Sequence, residues 1–476
     1  MKTVYNKTKI VATIGPACVS KPIMTKLIRN GVDICRINFS HGTHADHLIA
    51  IQTVREINDE FGIHIGILAD LQGPKIRLGE VENGEITLKT GDKVGVTGEP
   101  MVSTTKMLSI SYPRLNKEVS VDDTILLDDG NLKLQIISKG VKNEVIAEVI
   151  HGGKLTAKKG ANFPDTKISL PSLSEKDIND LMFALEHDVE WVALSFVRET
   201  QDIIKLKGLI EAKGKTARVI AKIEKPEAIE NMDGIIAASD AIMVARGDLG
   251  VEMAMEKVPL IQKTLVAKAR RATKPVIIAT QMMESMITNP RPTRAEANDV
   301  ANSVIDGADA VMLSAETSIG EYPVETINAM QRIISNVESE GYRYGRVHTP
   351  SKESKTFLAD SICYSACVLA EQVDAKAIIG MTRSGYTAFT ISSHRPNADI
   401  FIFTNFRPLL NALSLVWGVR GIYYNSFEST DQTIKDCKDI LKEKKLVSKG
   451  DFIINTASMP IHEKARTNMI KVTVVD

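Results

Sequence analysis

Neither sign of charge is in excess in this chain of 476 residues: Lys plus Arg and Asp plus Glu each number 59, for a net charge of +0. That excludes a global bias toward nucleic acid or an anionic membrane, while leaving local clusters free to bind phosphate. No apolar run approaches about 18 residues, so no transmembrane helix is expected. The N-terminal stretch MKTVYNKTKIVATIGP has neither a long apolar segment nor a small-residue cleavage site, and it reads as mature protein. Cysteine is scarce, five residues with no CxxC pair. Cys18, Cys35, Cys363, Cys367 and Cys437 are therefore read as reduced, buried thiols of a cytoplasmic protein and not as a disulfide frame. Low-complexity tracts are also missing. What remains is 43% hydrophobic and 25% charged, the composition of a soluble globular protein, with a length that allows roughly three domains.

Eight short β-branched runs carry the first positive signal. They are KIVATIG to Gly15, DICRINF to Phe39, IGILAD to Asp70, VEWVALSF to Phe196, ARVIAKIE to Glu224, AIMVARGD to Asp248, PVIIATQ to Gln281 and DAVMLSAE to Glu316. Helical periods separate them. Ser20 and Pro22 mark one helix start, and 44–61 is helical by period. Ser174 with Asp177, and Thr293 with Glu296, have capping-box spacing. Strand-helix alternation implies parallel strands with helical crossovers. Three units lie before residue 79 and five after residue 174, a count that favours a closed (β/α)8 TIM barrel. Between them, strand alternation punctuated by Gly-Asp, Asp-Gly and Gly-Gly reads as an inserted all-β barrel with no helix of useful length. From about 346 onward a second βα series reads as an open α/β domain. The expected division is 1–78 with 159–345 for the barrel, 79–158 for the insertion and 346–476 for the C-terminal domain.

A barrel of parallel strands collects its strand C-termini at one mouth. The polar residues there are Arg36, Asn38, Ser40, Asp70, Lys222, Glu224, Arg246, Asp248, Thr280, Ser314 and Glu316. Glu224 and Asp248 are two carboxylates suited to a hard divalent cation that keeps other positions for water and substrate oxygens. Lys222 precedes Glu224 by two, so a strand points both to one side; beside two acids it suits a transferring phosphoryl group. Arg36, Asn38 and Ser40 alternate on one face. Gly73 and Pro74 turn the chain and present Lys75 and Arg77. Gly247 lets the backbone approach a small anion, because MVARGDLG is not a GxGxxG fingerprint. Thr280 can orient water or relay a proton. His41, His44 and His47 lack an acid to complete a zinc set. At residues 382–387, Thr382, Ser384, Gly385 and Thr387 sit at a helix entrance, where free N–H groups bind phosphate.

As a set, KIVATIGPA, RINFSHG, DLQGPKIR, KKGAN, MVARGDLGVE, ATQMMESM, NPRPTRAE and DGADAVMLSAET resemble pyruvate kinase, over essentially the whole chain. The resemblance implies transfer of the phosphoryl group of phosphoenolpyruvate to ADP, giving pyruvate and ATP. It implies Glu224 and Asp248 as ligands of Mg2+ or Mn2+, Lys222 as the stabilising ammonium, and Arg36 as a phosphate clamp. Ala245, Arg246, Gly247 and Asp248 would receive the substrate carboxylate, with Thr280 on the protonation side. Asn38, His41, Arg77 and Lys159 match positions around the nucleotide phosphates. Asn38, Ser40, Asp70 and Leu71 match a monovalent-cation site, but Lys75 stands where many members carry an acid, so activity independent of K+ is expected. The loop Thr382, Arg383, Ser384, Gly385, Tyr386 and Thr387 matches the segment that binds phosphorylated effectors. The short stretch after INTASM points to the bacterial type activated by AMP or a sugar phosphate. A homotetramer is implied, with no nucleic-acid or membrane partner. Two other readings remain open from the residues: a metal-dependent lyase handling a pyruvate enolate, and a non-catalytic metabolite binder.

Overall fold

A strand that is apolar on both faces is stable only when both faces are covered. The computed structural model, which describes residues 5–340, 348–426, 429–459 and 466–476, resolves this by closure. β1 (Lys9–Thr13), β2 (Val32–Asn38), β3 (Gly66–Asp70), β4 (Trp191–Leu194), β5 (Arg218–Ile223), β6 (Ala241–Ala245), β7 (Val276–Ala279) and β8 (Ala310–Leu313) form a closed barrel. All its pairings are parallel and β8 returns to β1. The outward residues Cys35, Ile67, Val192, Val219 and Ile278 pack with the surrounding helices. Val11, Ile34, Leu68, Trp191, Ile220, Met243, Ile277 and Met312 fill the interior.

The capping boxes at Ser174/Asp177 and Thr293/Glu296 form as expected. Ser20 occupies the N-cap position, but its side chain makes no capping bond; Pro22 in the first turn presets the helical φ instead. Seven of the eight strands stop earlier than their runs, only β3 reaching its end at Asp70. β1 ends at Thr13, and β6 ends at Ala245, where the chain turns directly into the helix Arg246–Glu252. Asp248 is therefore a first-turn helix residue and not a strand end.

The sheet of the inserted region runs past the expected bound at 158, its order being 161–162, 124–127, 132–139, 144–151, 93–97, 107–109. Its two edges are joined by bridges from Arg77 to Gly160 and from Leu78 to Ile110. The segment that leaves the large barrel thus closes the small one. Its core (Ile76, Leu108, Leu134, Ala147) is its own. A single helical turn, Leu115–Glu118, is present in it.

The C-terminal sheet comprises β9 (Ala377–Met381), β10 (Asp399–Thr404), β11 (Val419–Tyr423), β12 (Phe452–Ala457) and β13 (Met469–Val474), ordered β11-β10-β9-β12-β13. β13 alone runs antiparallel. The expected division at 345/346 lies outside the described residues. This domain plugs the N-terminal mouth of the large barrel. Trp191 donates its indole N–H to the Ala412 carbonyl at 3.1 Å, and Ala412 and Leu415 join the barrel's interior cluster. The fully buried Arg395 pairs with Asp309 at 2.9 Å and lies over Trp417. All five cysteines are buried and free. Among the described residues no helix is long and apolar enough to cross a membrane.

Candidate active site

Alternation carries the interior positions of the strands upward from apolar to polar at the C-terminal mouth. Ile34 is followed by Arg36, Leu68 by Asp70, and Ile220 by Lys222 and then Glu224. These side chains meet in one buried chain. Arg36 Nε donates to Asp70 Oδ2 at 2.7 Å and its Nη1 to Thr13 Oγ1 at 2.8 Å. Lys222 Nζ lies 3.2 Å from Asp70 Oδ1, 2.9 Å from Glu224 Oε1 and 2.6 Å from Ser195 Oγ. Phe196 N–H donates to Glu224 Oε2 at 2.8 Å. Gly73 has φ +72, and a Cβ there would meet Phe196 and Ser195 at 2.8 and 2.9 Å, so only glycine permits this approach.

Electrostatics favour the charged form of Lys222. Burial opposes the Lys222 ammonium, but the charges of Asp70, Glu224 and Asp248 outweigh it and push its pKa up. Burial likewise opposes the Asp70 carboxylate, and Lys222 and Arg36 hold it below the usual range. For Glu224, burial pushes the carboxyl up, Lys222 pulls it down, and the Asp248 charge adds to the rise. That tension is what a divalent cation relieves. Glu224 Oε1 is fully buried and touches Lys222 without a well-formed hydrogen bond. Two hard-oxygen donors, the carboxylates of Glu224 and Asp248, fit a Mg2+ or Mn2+ ion that completes its shell with water and substrate oxygens. Among the described residues no group of three or more His, Cys, Asp and Glu is placed to hold a metal, so an ion here would depend on those further oxygens.

Asp248 opens onto a cleft of about 750 Å³ between the barrel and the insertion, shared with Lys75, Asp129, Asn162, Arg246 and Gly247. The Arg246 guanidinium is engaged with Asp299 at 2.6 Å and the Thr280 carbonyl at 2.8 Å. Its contribution to the cleft is therefore structural, through its backbone. Gly247 N–H donates to Thr280 Oγ1 at 2.7 Å. Thr280 and Gln281 hold φ of 67 and 53; for the β-branched Thr280 that is a strained value of the kind that clusters at active sites.

Other candidates lie around this rim. Asn38 Oδ1 accepts from Ser40 N–H at 3.1 Å. The Leu71 carbonyl accepts from Ser195 Oγ at 2.7 Å. His41 is exposed, and its pKa is lowered by burial and by Arg77, Lys75 and Arg36. Arg77 Nη1 donates to the Lys158 carbonyl at 3.0 Å, and Lys159 pairs with Asp128 at 2.7 Å. Ser314 and Glu316 are not brought into the chain: Glu316 accepts from Ser314 and Met283 N–H groups. His44 bonds Asp180 and stacks on Phe183, while His47 lies against Phe39.

The loop at 382–387 lies on the C-terminal domain, away from this mouth. Thr382 Oγ1 accepts from Gly385 N–H at 3.1 Å, and the Ser384 carbonyl accepts from Arg218 at 2.9 Å. Tyr386 bonds Asp360, and Thr387 is buried against Thr467. Arg383 is exposed.

Sequence reasoning passed over Thr13, Ser195, Asn162 and Glu252. Asn162 and Lys225 both donate to the buried Glu252 carboxylate at 2.6 Å, tying the insertion to the barrel. Thr13 and Ser195 carry a usable signal, since each falls two residues beyond an interior strand position (Val11, Ala193). Glu252 carries none, because only tertiary packing buries it.

Comparison with known proteins gives the family. The family model "Pyruvate kinase, barrel domain" matches residues 5–327, and "Pyruvate kinase, alpha/beta domain" matches 360–473. Pyruvate kinase 2 of Synechocystis is 44% identical over 472 residues, covering 98% of this chain and 79% of that protein. The pyruvate kinase of Corynebacterium efficiens is 43% identical over 467 residues, 98% of this chain and 97% of its own. A crystal structure of a pyruvate kinase from Cryptosporidium parvum superposes with TM-score 0.91 at 35% identity, covering 99% of this chain and 96% of that one. With both parts of its length matched, the chain belongs to the pyruvate kinase family and is a phosphotransferase that converts phosphoenolpyruvate and ADP to pyruvate and ATP.

Proposed function

We propose that the buried chain from Thr13 through Arg36, Asp70 and Lys222 to Glu224 is the phosphoryl-transfer centre of this reaction. The observation that carries the reading is that the Arg36 guanidinium and the Lys222 ammonium lie buried together at the barrel mouth, with Asp70 paired to both. A terminal phosphate oxygen of ADP attacks phosphorus, and the bond from phosphorus to the enol oxygen breaks. Arg36 holds the phosphoryl group, and Lys222 faces the charge that develops on it and on the enolate oxygen. The Ala245–Asp248 backbone receives the carboxylate, and Thr280 orients the proton donor to the enolate carbon. A divalent ion on Glu224 and Asp248 would supply Lewis-acid stabilisation of the same oxygens. Asn38, His41, Arg77 and Lys159 would meet the nucleotide phosphates, with the 79–158 insertion as a lid that delivers Lys159 and excludes water. Its division from 1–78, 159–345 and 346–476 belongs to the same reading. ATP formation from ADP and phosphoenolpyruvate, compared between wild type and Arg36→Ala, tests it; an unchanged rate removes the assignment.

Two regulatory readings accompany it. K+ is not required, because Lys75 brings a tethered ammonium to the rim, and a second cation would be repelled. Support comes from Asp70 being already paired with Arg36 and Lys222. Large activation by K+ in Na+-free buffer would refute this. An effector phosphate, from AMP or a sugar phosphate, binds Thr382–Thr387. Arg218 supports a link from there to the centre, since it bonds Ser384 from the start of β5, whose far end carries Lys222 and Glu224. Ser384→Asp is expected to abolish the effector response, with basal activity retained. The assembly is taken to be a homotetramer in the cytoplasm, and sedimentation reads the subunit number.

A further inference from the structure

Each of the two phosphate-facing cations is held at a second point by a hydroxyl from a different strand. Ser195, 2% exposed and just beyond β4, accepts from Lys222 Nζ at 2.6 Å and gives its own proton to the Leu71 carbonyl at 2.7 Å. Thr13, 4% exposed at the end of β1, accepts from Arg36 Nη1 at 2.8 Å and gives its proton to the Leu313 carbonyl at 2.8 Å. The two arrangements are chemically the same. A hydroxyl has one proton and two lone pairs. Once the proton is committed to a fixed strand-end carbonyl, the oxygen can only accept, and its lone pairs point at the cation.

We infer that Ser195 and Thr13 are positioning residues of the phosphoryl-transfer reaction, each holding its cation, the Lys222 ammonium or the Arg36 guanidinium, at a point other than Asp70. Asp70 alone cannot do this. It supplies one contact to each cation, and one contact leaves a long side chain free to pivot about it. The second contact removes that freedom before substrate arrives, which is where an orientation benefit in catalysis originates. Neutral hydroxyls suit the task because they orient the cations without reducing the charge that faces the phosphoryl group; a second carboxylate would.

The inference rests on the roles proposed above for Arg36 and Lys222, and the test separates the two. Ser195→Ala and Thr13→Val remove the hydroxyls at nearly constant shape; Ser195→Cys and Thr13→Ser partly or wholly restore an acceptor. Steady-state kinetics are measured with phosphoenolpyruvate varied at saturating ADP and divalent metal. Thermal unfolding is followed in parallel, with Arg36→Ala and Lys222→Met as controls. Ser195→Ala is expected to lower kcat about tenfold or more with KM for phosphoenolpyruvate changing much less, as for a group acting on transition-state charge. Thr13→Val is expected mainly to raise that KM, as for a group that presets a ground-state clamp. Thr13→Ser should recover most of the loss. If both controls collapse activity while Ser195→Ala and Thr13→Val retain wild-type kcat and KM, the hydroxyls position nothing and the inference fails alone. If the controls themselves stay active, the underlying assignment fails. Lowered melting temperature in the hydroxyl variants with unchanged kinetics, or Thr13→Ser as impaired as Thr13→Val, assigns the residues to packing and overturns the inference.

Discussion

The two mouths of the large barrel are made by the same eight strands and do opposite things. At the N-terminal mouth the interior column begins with Trp191, Ile34 and Leu68, and the C-terminal domain seals it with Ala412 and Leu415. At the C-terminal mouth, two or four residues further along the same strands, the column ends in Arg36, Asp70, Ser195, Lys222 and Glu224. Both ends are buried, but for different reasons. The sealed end lowers free energy by removing apolar area from water. The open end keeps charges out of bulk water only because each has an opposite charge or a hydroxyl at hand. Stability is concentrated at one mouth and chemistry at the other, and the strand length between them keeps substitutions at one from disturbing the other.

Changes at each mouth should therefore read out in different measurements. The largest effect is expected from Trp191→Ala. It deletes a fully buried ring at the sealed mouth, and it should cost about 3–5 kcal/mol in chemical denaturation while the fraction still folded keeps its kcat. A variant that unfolds normally but loses kcat would break the separation. Next, Lys222→Met at the open mouth should lower kcat about 10²–10³-fold, the loss typical of removing one preorganised charge donor, with cooperative unfolding retained. Removing the divalent ion with chelator should abolish turnover in wild type and in this variant alike; single-turnover measurement reads both.

A smaller effect concerns pH. His394 follows the helix Tyr386–Ser393 and adjoins Arg395, which docks on Asp309 near the sealed mouth. Burial lowers its pKa from 6.5 to about 3, helped by His348 and Arg270 and opposed by Asp360. A histidine with a depressed folded pKa contributes stability that is present above about 6.5 and is lost as pH falls toward 3, because the unfolded chain takes up the proton first. By pH 5 the loss from this group is on the order of 2 kcal/mol. His394→Asn should flatten stability between pH 6.5 and 5, measured by denaturant titration at each pH; an unchanged slope would place the acid sensitivity elsewhere.

The open mouth was more legible in the sequence than the sealed one. Arg36, Asp70, Lys222 and Glu224 stand out because a charge at the end of an apolar strand violates the local pattern. Asp248 was read in the same way, as the end of the run AIMVARGD, although its local structure is the first turn of a helix, since Gly247 ends the β-branched run without showing where the backbone turns. Thr13 and Ser195 were missed, although both lie in phase with the barrel interior, because a hydroxyl at a strand end does not break the apolar pattern as a charge does. Trp191 and Ala412 lie 221 residues apart, and no periodicity couples them. The closing of the insertion by residues 77 and 78 was equally invisible, as two bridges leave no alternation to read.

By itself the sequence determined the periods: eight apolar strands, their crossover helices, an insertion that alternates by two, and charges in phase with the barrel interior. Those follow from local geometry, in which i and i+2 share a face of a strand and i, i+3 and i+4 share a face of a helix. Tertiary structure alone decided which charge meets which. Asp70 is placed between Arg36 and Lys222, Ser195 against Lys222, and the C-terminal domain over Trp191, because closing a barrel brings strands together at distances that the intervening chain length does not encode.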